Sequence, residues 1–322
     1  MSSIRLSIVV AVYNIEDYVV ECVESFFDLD VNEDVEIIFI NDGSTDNSLI
    51  NLKKVLFKKK LNNIKVVDQK NTGVSDLRNQ GIRLSSGRYV TFVDGDDFIK
   101  VKELIDLFNV GYSEDCDVII GNFFTYEQHE KNIRYSPKYN IVKNKILGKD
   151  LLINHLLIDM TPSVWKGIYK KSFIEKENLW FMSGVQVGED FNWMFKILLR
   201  ANSVYVDNVY YYIYRIRPGS VIRSDFNLKK YEGILNLVED NVNFIESRGE
   251  YDKRVIGKLN EKLVAILARG VALYQGKHDI ARLRLIISKL GVDSIRFKFV
   301  LKFMEFSPSL FSKIFYLKYK GK

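Results

Sequence analysis

The sequence predicts a doubly wound α/β fold on a mainly parallel sheet, and three observations carry that prediction. The first hundred residues alternate apolar, β-branched runs of strand length with amphipathic stretches of helical length. Each apolar run ends in a polar or acidic cluster, which places chemistry-bearing residues at the carboxyl ends of the strands, where open α/β sheets bind ligands. Neither a Gly-x-Gly-x-x-Gly nor a Walker-type Gly-Lys-Ser/Thr occurs, which argues against dinucleotide dehydrogenases and P-loop ATPases.

Arg5 to Val12 reads as the first strand, and Asn14 is placed to cap a helix from about Ile15 to Phe27, with Asp17 three residues on as in a capping box. Val35 to Ile40 is the second strand and ends in Asn41-Asp42-Gly43-Ser44-Thr45-Asp46, before a helix through about Lys60. Ile64 to Asp68 is the third, and Asn71-Thr72-Gly73 opens a helix that Ser85-Ser86-Gly87 stops after Leu84. Tyr89 to Val93 is the fourth, running into Asp94-Gly95-Asp96-Asp97. Beyond it come a strand over Asp117 to Phe124, a loop from Thr161 into a strand near Gly167, a helix opened by Gly188-Glu189-Asp190, and a tyrosine-rich strand from Ser203 to Arg215. After Asp225 the pattern is all-helical, with Ile234, Leu235, Val238, Val242 and Ile245, then Leu263, Ile266, Leu267 and Val271, at helical spacing. This organisation divides the chain into 1–100, 101–222 and a helical extension over 223–322.

With 322 residues, 47% of them apolar and 13% aromatic, the chain is long enough for a substantial core. Cys22 and Cys116 suggest small buried hydrophobes in a reducing compartment rather than a disulfide framework. Leu6 to Val12 is too short to span a bilayer and no secretory pattern precedes it, so a cytosolic location is expected. The formal net charge of +6 sits in one place: residues 294–322 carry seven basic side chains and one acid, Glu305, so the rest sums to about zero. That segment also holds eight aromatics, and Pro308 divides it into two short helices. Basic, aromatic-rich amphipathic helices suit an anionic membrane surface, while the plain alternative is a helix pair packed on the body. No nucleic-acid partner is expected.

The acidic turn is the most informative stretch. Three carboxylates in four residues at the end of a buried strand are costly unless a cation sits among them. A divalent metal carrying a diphosphate answers that need, and hard oxygen donors suit Mg²⁺ or Mn²⁺. The alternative is a set of carboxylates capping the next helix.

Taken together, these motifs resemble those of the family 2 glycosyltransferases of the GT-A fold, found in bacterial capsule, exopolysaccharide and cell-wall assembly. The resemblance rests on Ser7-Ile8-Val9-Val10-Ala11-Val12-Tyr13-Asn14, the Asn41 to Asp46 turn, Asn71-Thr72-Gly73 through Arg78-Asn79-Gln80-Gly81, Asp94-Gly95-Asp96-Asp97 and Gly188-Glu189-Asp190, and covers residues 4–220. It implies an inverting, metal-dependent transfer of a hexose or N-acetylhexosamine from a UDP-sugar to a hydroxyl of an oligosaccharide linked to polyprenyl diphosphate, at the inner face of the plasma membrane. By that resemblance Ala11 and Tyr13 contact the nucleotide, Asp42 bonds the uracil, and Arg78 lies near the uracil or diphosphate. Asp94 faces the ribose, and Asp96, with Asp94, holds Mn²⁺ or Mg²⁺. Gly95 lets the backbone pass close to the nucleotide, and Asp97 is read as a helix cap in preference to a sugar ligand. Asp190 is the expected base and Glu189 orients it or touches the sugar. Trp165-Lys166 stands near the donor sugar, and Arg215, beside Tyr212, Tyr214 and Arg217, is a candidate for the diphosphate. His129, His155 and His278 match no ligand position, leaving water or phosphate to complete the metal shell. The rival readings are a non-catalytic nucleotide-binding scaffold, disfavoured because the acidic turn and base candidate are both present, and a sugar nucleotidyltransferase, which would want a glycine-rich basic loop where Tyr13-Asn14-Ile15-Glu16 stands.

Overall fold

The computed structural model describes residues 4–29, 34–58, 63–127, 132–140, 144–156, 162–185, 187–217, 226–248 and 251–320. The chain forms two compact units, the first of Met1–Gly148, Ser163–Ser183 and Arg200–Ser220, the second of Lys149–Pro162, Gly184–Leu199 and Val221–Lys322. The division expected at 100/101 falls inside the first unit, and the one expected at 222/223 lies outside the described residues.

The first unit runs β1 (Leu6–Val12), α1 (Val19–Glu24), β2 (Val35–Asp42), α2 (Ser48–Lys58), β3 (Ile64–Gln69), α3 (Val74–Leu84), β4 (Tyr89–Asp94), β5 (Phe98–Ile99), α4 (Val101–Ser113), β6 (Val118–Glu127), β7 (Asn132–Tyr135) and β8 (Asn144–Ile146). The short α5 (Gly148–Leu151) leads into a π-helical stretch, Leu152–Leu156; the first unit then resumes with β9 (Gly167–Lys170), α6 (Lys171–Glu177) and, later, β10 (Val204–Ile216). Among the described residues the strands form one sheet in the order β3-β2-β1-β4-β9-β6-β10-β5, with β7 on β6 and β8 on β10. β3, β2, β1 and β4 pair in parallel, as the alternating pattern predicts. β9 is antiparallel to both β4 and β6, and β10 runs parallel to β6. The carboxyl ends of β1 and β4 are brought level by the register, which pairs Ala11 with Asp94.

The core explains the strand composition. On one face Ile8, Val10, Ile37, Phe39, Tyr89 and Val93 pack with Val19, Cys22, Phe26, Leu104 and Phe108. On the other Val9, Ile38 and Ile40 are buried as well, so these strands are apolar on both faces. Gly81 lets α3 lie against β1: a Cβ there would meet Val9 Cγ1 at 2.4 Å.

Near the first loop the structure corrects the sequence. The helix expected from Ile15 begins only at Val19, and Asn14 does not cap it. Asn14 adopts φ +48°, outside the extended region a cap residue uses, and its Oδ1 accepts from the Thr45 amide at 2.8 Å. The two loops are joined throughout, because Ser44 Oγ accepts from Asn14 N, Ser48 Oγ from Ile15 N, and Asp46 Oδ2 from Glu16 N.

The second unit contains α7 (Glu189–Arg200), α8 (Leu228–Arg248), α9 (Lys253–Leu273), α10 (Ile280–Lys289), α11 (Ile295–Phe306) and α12 (Pro308–Lys320). Of the apolar stripes read from the sequence, Leu235, Val238, Leu263, Leu267 and Val271 are at most 1% exposed and form its core, while Ile266 is only partly buried. Asp252 and Asp279 cap α9 and α10 by accepting from Arg254 N and Arg282 N. Gly188 takes φ +89° just before α7, in the left-handed region that favours glycine.

Candidate active site

The end of β4 is the focus of the first unit. Gly95 donates its N–H to the Ala11 carbonyl at 2.8 Å, and a Cβ on Gly95 would meet that oxygen at 2.6 Å. The glycine is required here by the neighbouring strand as much as by any ligand. Asp97 N–H closes the turn on the Asp94 carbonyl. The three carboxylates share one neighbourhood: the buried Cys22 thiol is pushed well above its usual range by burial, and then by Asp97, Asp96 and Asp94 together.

Each of the three acids has its own partner. Arg78, on α3 and almost fully buried, donates from Nη2 to Asp94 Oδ1 at 3.0 Å and lies over the Phe181 ring. Arg217 donates from Nε to Asp96 Oδ2 at 2.6 Å. Asp97 is the buried member, 1% exposed, and accepts from Tyr212 Oη at 2.7 Å and Arg215 N at 2.8 Å. Burial, then the like charges of Asp96 and Asp94, push its carboxyl well above the usual range. The expectation that Asp97 caps the next helix is therefore corrected. Lys100 occupies the N-cap position of α4, and Asp97 instead fastens β10 to the acidic turn.

Arg215 does not have the exposure expected of a diphosphate ligand. Its side chain is 1% exposed, Nη2 pairs with Glu21 at 2.6 Å, and Nε donates to the Asp96 carbonyl at 2.9 Å. Its guanidinium also lies over the rings of Tyr18, Phe98 and Tyr126, at 5.0–5.6 Å. It braces the acidic turn from beneath, and Arg217, two residues on along the same strand direction, is the arginine on the Asp96 carboxylate. The sequence grouped the two without separating them. The distinguishing signal is Glu21, a carboxylate on α1 whose partner only the tertiary fold reveals.

At the end of β2, Asp42 is 2% exposed and shapes the loop before α3. Its Oδ1 accepts from Thr72 N at 2.9 Å, Thr72 Oγ1 at 3.1 Å and Gln69 Nε2 at 2.7 Å, and its Oδ2 from Gly73 N at 2.8 Å. Three of these bonds converge on Oδ1, which leaves Oδ2 the oxygen with acceptor capacity for a ligand. Asn79 bonds the backbone of Phe181 in both directions, at 2.9 Å each way. Tyr13 is half exposed beside β1, while Ala11 presents its backbone between β2 and β4.

Trp165 and Lys166 are both buried. Trp165 stacks on Tyr212 at 4.1 Å and 12°, and that tyrosine in turn accepts from the Asp94 amide, so the stack supports the turn indirectly. Glu189 and Asp190 form the first turn of α7, in the second unit, where their charge favours the helix N-terminus. His278 lies in that unit too, its Nδ1 3.1 Å from Tyr231 Oη and its pKa lowered by burial; His129 and the His155 side chain lie outside the described residues. Among the described residues no group of three or more His, Cys, Asp or Glu side chains is arranged to hold a metal ion.

The sequence profile described as Glycosyl transferase family 2 matches residues 7–176, which span β1 through the acidic turn to α6. The chain belongs to glycosyl transferase family 2. Its bacterial relatives include the glycosyltransferase GlyG of Streptococcus pneumoniae serotype 4, 28% identical over 251 residues that cover 74% of this chain and 79% of GlyG. Another is the poly(ribitol-phosphate) beta-glucosyltransferase of Bacillus spizizenii, 26% identical over 94% of this chain. This chain spans 45% of that enzyme's length, less than half. Among solved structures, S. aureus TarS 1–349 in complex with UDP-GlcNAc superposes with a TM-score of 0.71 at 22% identity, covering 99% of this chain and 92% of that one. The family 2 chain thus has the GT-A fold with a C-terminal set of helices, as the motif pattern predicts. Among the described residues no helix is long and apolar enough to cross a membrane.

Proposed function

We propose that this family 2 enzyme transfers a hexose or N-acetylhexosamine from a UDP-sugar to a hydroxyl of a surface-polysaccharide acceptor, with inversion and with a divalent metal. The observation that carries the reading is the acidic turn, where the carboxylates of Asp94 and Asp96 each hold one arginine. A turn so built is acidic and oxygen-donating, which fits Mn²⁺ or Mg²⁺ bound through one or two carboxylates plus substrate phosphates. Asp96, with Asp94, would hold the ion, and the ion would offset charge developing on the departing diphosphate.

The remaining roles belong to the chain's own side chains. Tyr13 and the Ala11 backbone border the nucleotide, and Asp42 Oδ2 accepts from the uracil. Arg78 keeps Asp94 aimed toward the ribose. Arg217, rather than the braced Arg215, is the arginine available to the diphosphate. Asp190 takes the proton from the acceptor hydroxyl as it attacks C1, and Glu189 orients it; a single base opposite the leaving group is what inversion requires. TarS was solved with UDP-GlcNAc, which favours a UDP-sugar donor here, and the poly(ribitol-phosphate) relative favours a cell-surface polymer as acceptor. In this reading the acceptor is attached to polyprenyl diphosphate. The enzyme then works on the cytoplasmic side of an anionic membrane, held there by residues 294–322.

The test is a panel of UDP-sugars incubated with the protein, with and without Mn²⁺, and assayed for release of UDP. Hydrolysis of one UDP-sugar, dependent on Mn²⁺, is expected; release from none of them would remove the donor assignment.

A further inference from the structure

Deepening the reading that the enzyme works at a membrane, we propose that the α11–α12 hairpin is the docking face, and that it seats on an anionic bilayer through two apolar stripes bordered by basic side chains. The hairpin has two unlike sides. Its inner side packs within the helical unit, where Leu301, Met304 and Phe311 are buried and Ser312 Oγ donates to the Ala272 carbonyl at 3.0 Å. Phe303 of α11 joins the two helices by meeting Phe311 and Phe315 of α12, with ring centroids 5.4 and 6.3 Å apart. Packing on the body is therefore satisfied by this side alone.

The outer side has no such cover. Ile295, Phe299 and Phe306 are 85%, 67% and 87% exposed, and at about 100° per residue they fall in one narrow stripe of α11. Lys298 and Lys302 run along one border of that stripe and Arg296 along the other, all exposed. On α12, Leu310 and Ile314 form a second exposed stripe, between Lys313 and Lys318. Among the described residues none of these five cations is paired with a carboxylate, and Glu305 is the one acid on the two helices. Lys318 Nζ instead rests over the Phe315 and Tyr319 rings, at 5.6 and 5.9 Å.

The charge selects the occupant. A second copy of the hairpin would bring two basic faces together, and like charges across an interface oppose association. An anionic lipid surface attracts the basic borders and accepts the apolar stripe at the boundary between headgroups and acyl chains. Nucleic acid would satisfy the lysines and leave Ile295, Phe299 and Phe306 in water.

The experiment uses the full chain, with sedimentation on vesicles of phosphatidylglycerol and phosphatidylcholine, or of phosphatidylcholine alone, at low and high salt. Binding to the anionic vesicles, weakened by salt and absent on neutral ones, is expected. The double variant Phe299→Glu, Phe306→Glu should lose at least about tenfold in partitioning. Lys298→Gln with Lys302→Gln should lose about fivefold per residue. Solution hydrolysis of the donor should be unchanged in both variants, because neither pair lies in the catalytic machinery. Unchanged vesicle binding in both variants overturns the proposal. So does a self-association of the native chain that the Glu variants abolish, which would make a second copy the occupant. If the native protein binds vesicles but hydrolyses no UDP-sugar, the donor reading fails and this surface stands.

Discussion

The Nε–H of Arg217 donates to Asp96 Oδ2 at 2.6 Å, so the carboxylate proposed for the metal already carries a cation of the chain's own. Both side chains are about a fifth to a quarter exposed, so water still reaches the pair and screens it in part, to about 1 kcal/mol. Metal and guanidinium compete for that oxygen. Replacing Arg217 with Gln should therefore tighten binding of Mn²⁺ alone, without nucleotide, by up to about fivefold. Titration of Mn²⁺ followed by calorimetry checks this, and weaker binding in the variant would show that Arg217 does not compete.

Asp190→Asn separates chemistry from binding. The amide keeps the shape of the carboxylate and cannot accept the acceptor's proton, so sugar transfer should fall by about 10² or more while the Kd for the UDP-sugar stays nearly constant. Near-normal turnover would move the base elsewhere, with Glu189 first in line.

A third test concerns the fold beneath the site. Glu36 is 3% exposed and accepts from Ser7 Oγ at 2.6 Å, from Ser86 N at 2.5 Å and from Lys65 Nζ at 2.8 Å, tying β2 to β1 and to the end of α3. Burial would raise its carboxyl, but the bonds from Lys65, Ser7 and Ser86 outweigh burial and hold it below the usual range. A depressed folded pKa gives stability that is complete above the unfolded value of about 4.3 and is lost as pH falls through the folded value. Glu36→Gln should cost about 1–3 kcal/mol at neutral pH and flatten the acid limb of the stability curve below about pH 4.3. Urea unfolding across pH measures both, and an unaltered acid limb would assign that limb to other carboxylates.

Much of this architecture was legible because it is local. The strands β1 to β4, the stop after Leu84 and the helix opened by Gly188 follow from periodicity and turn residues alone. The Pro308 break is of the same kind. What was not legible depends on partners distant in sequence. The sequence places Asn14 as a cap because caps are local, yet its oxygen goes to Thr45 across a loop. Asp97 invites the same local reading, and it is claimed by Tyr212 and Arg215 more than a hundred residues on. Position makes Arg215 a candidate for the diphosphate, and only the tertiary fold shows that Glu21 and three aromatic rings hold it. The helix α7 could be placed in order from the sequence, but its grouping with the C-terminal helices, through Asn192 and Lys196 on Asp240, could not.

The central claim is that the Asp94–Asp96 turn holds the metal and diphosphate of a UDP-sugar. The most direct measurement is calorimetric titration of UDP, in the presence and absence of Mn²⁺, into the native protein and into Asp96→Ala. The account predicts Mn²⁺-dependent UDP binding that falls by about tenfold or more in the variant, since a ligand is lost and the diphosphate charge is left less compensated. Equal Mn²⁺-dependent UDP affinity in the two proteins would contradict it.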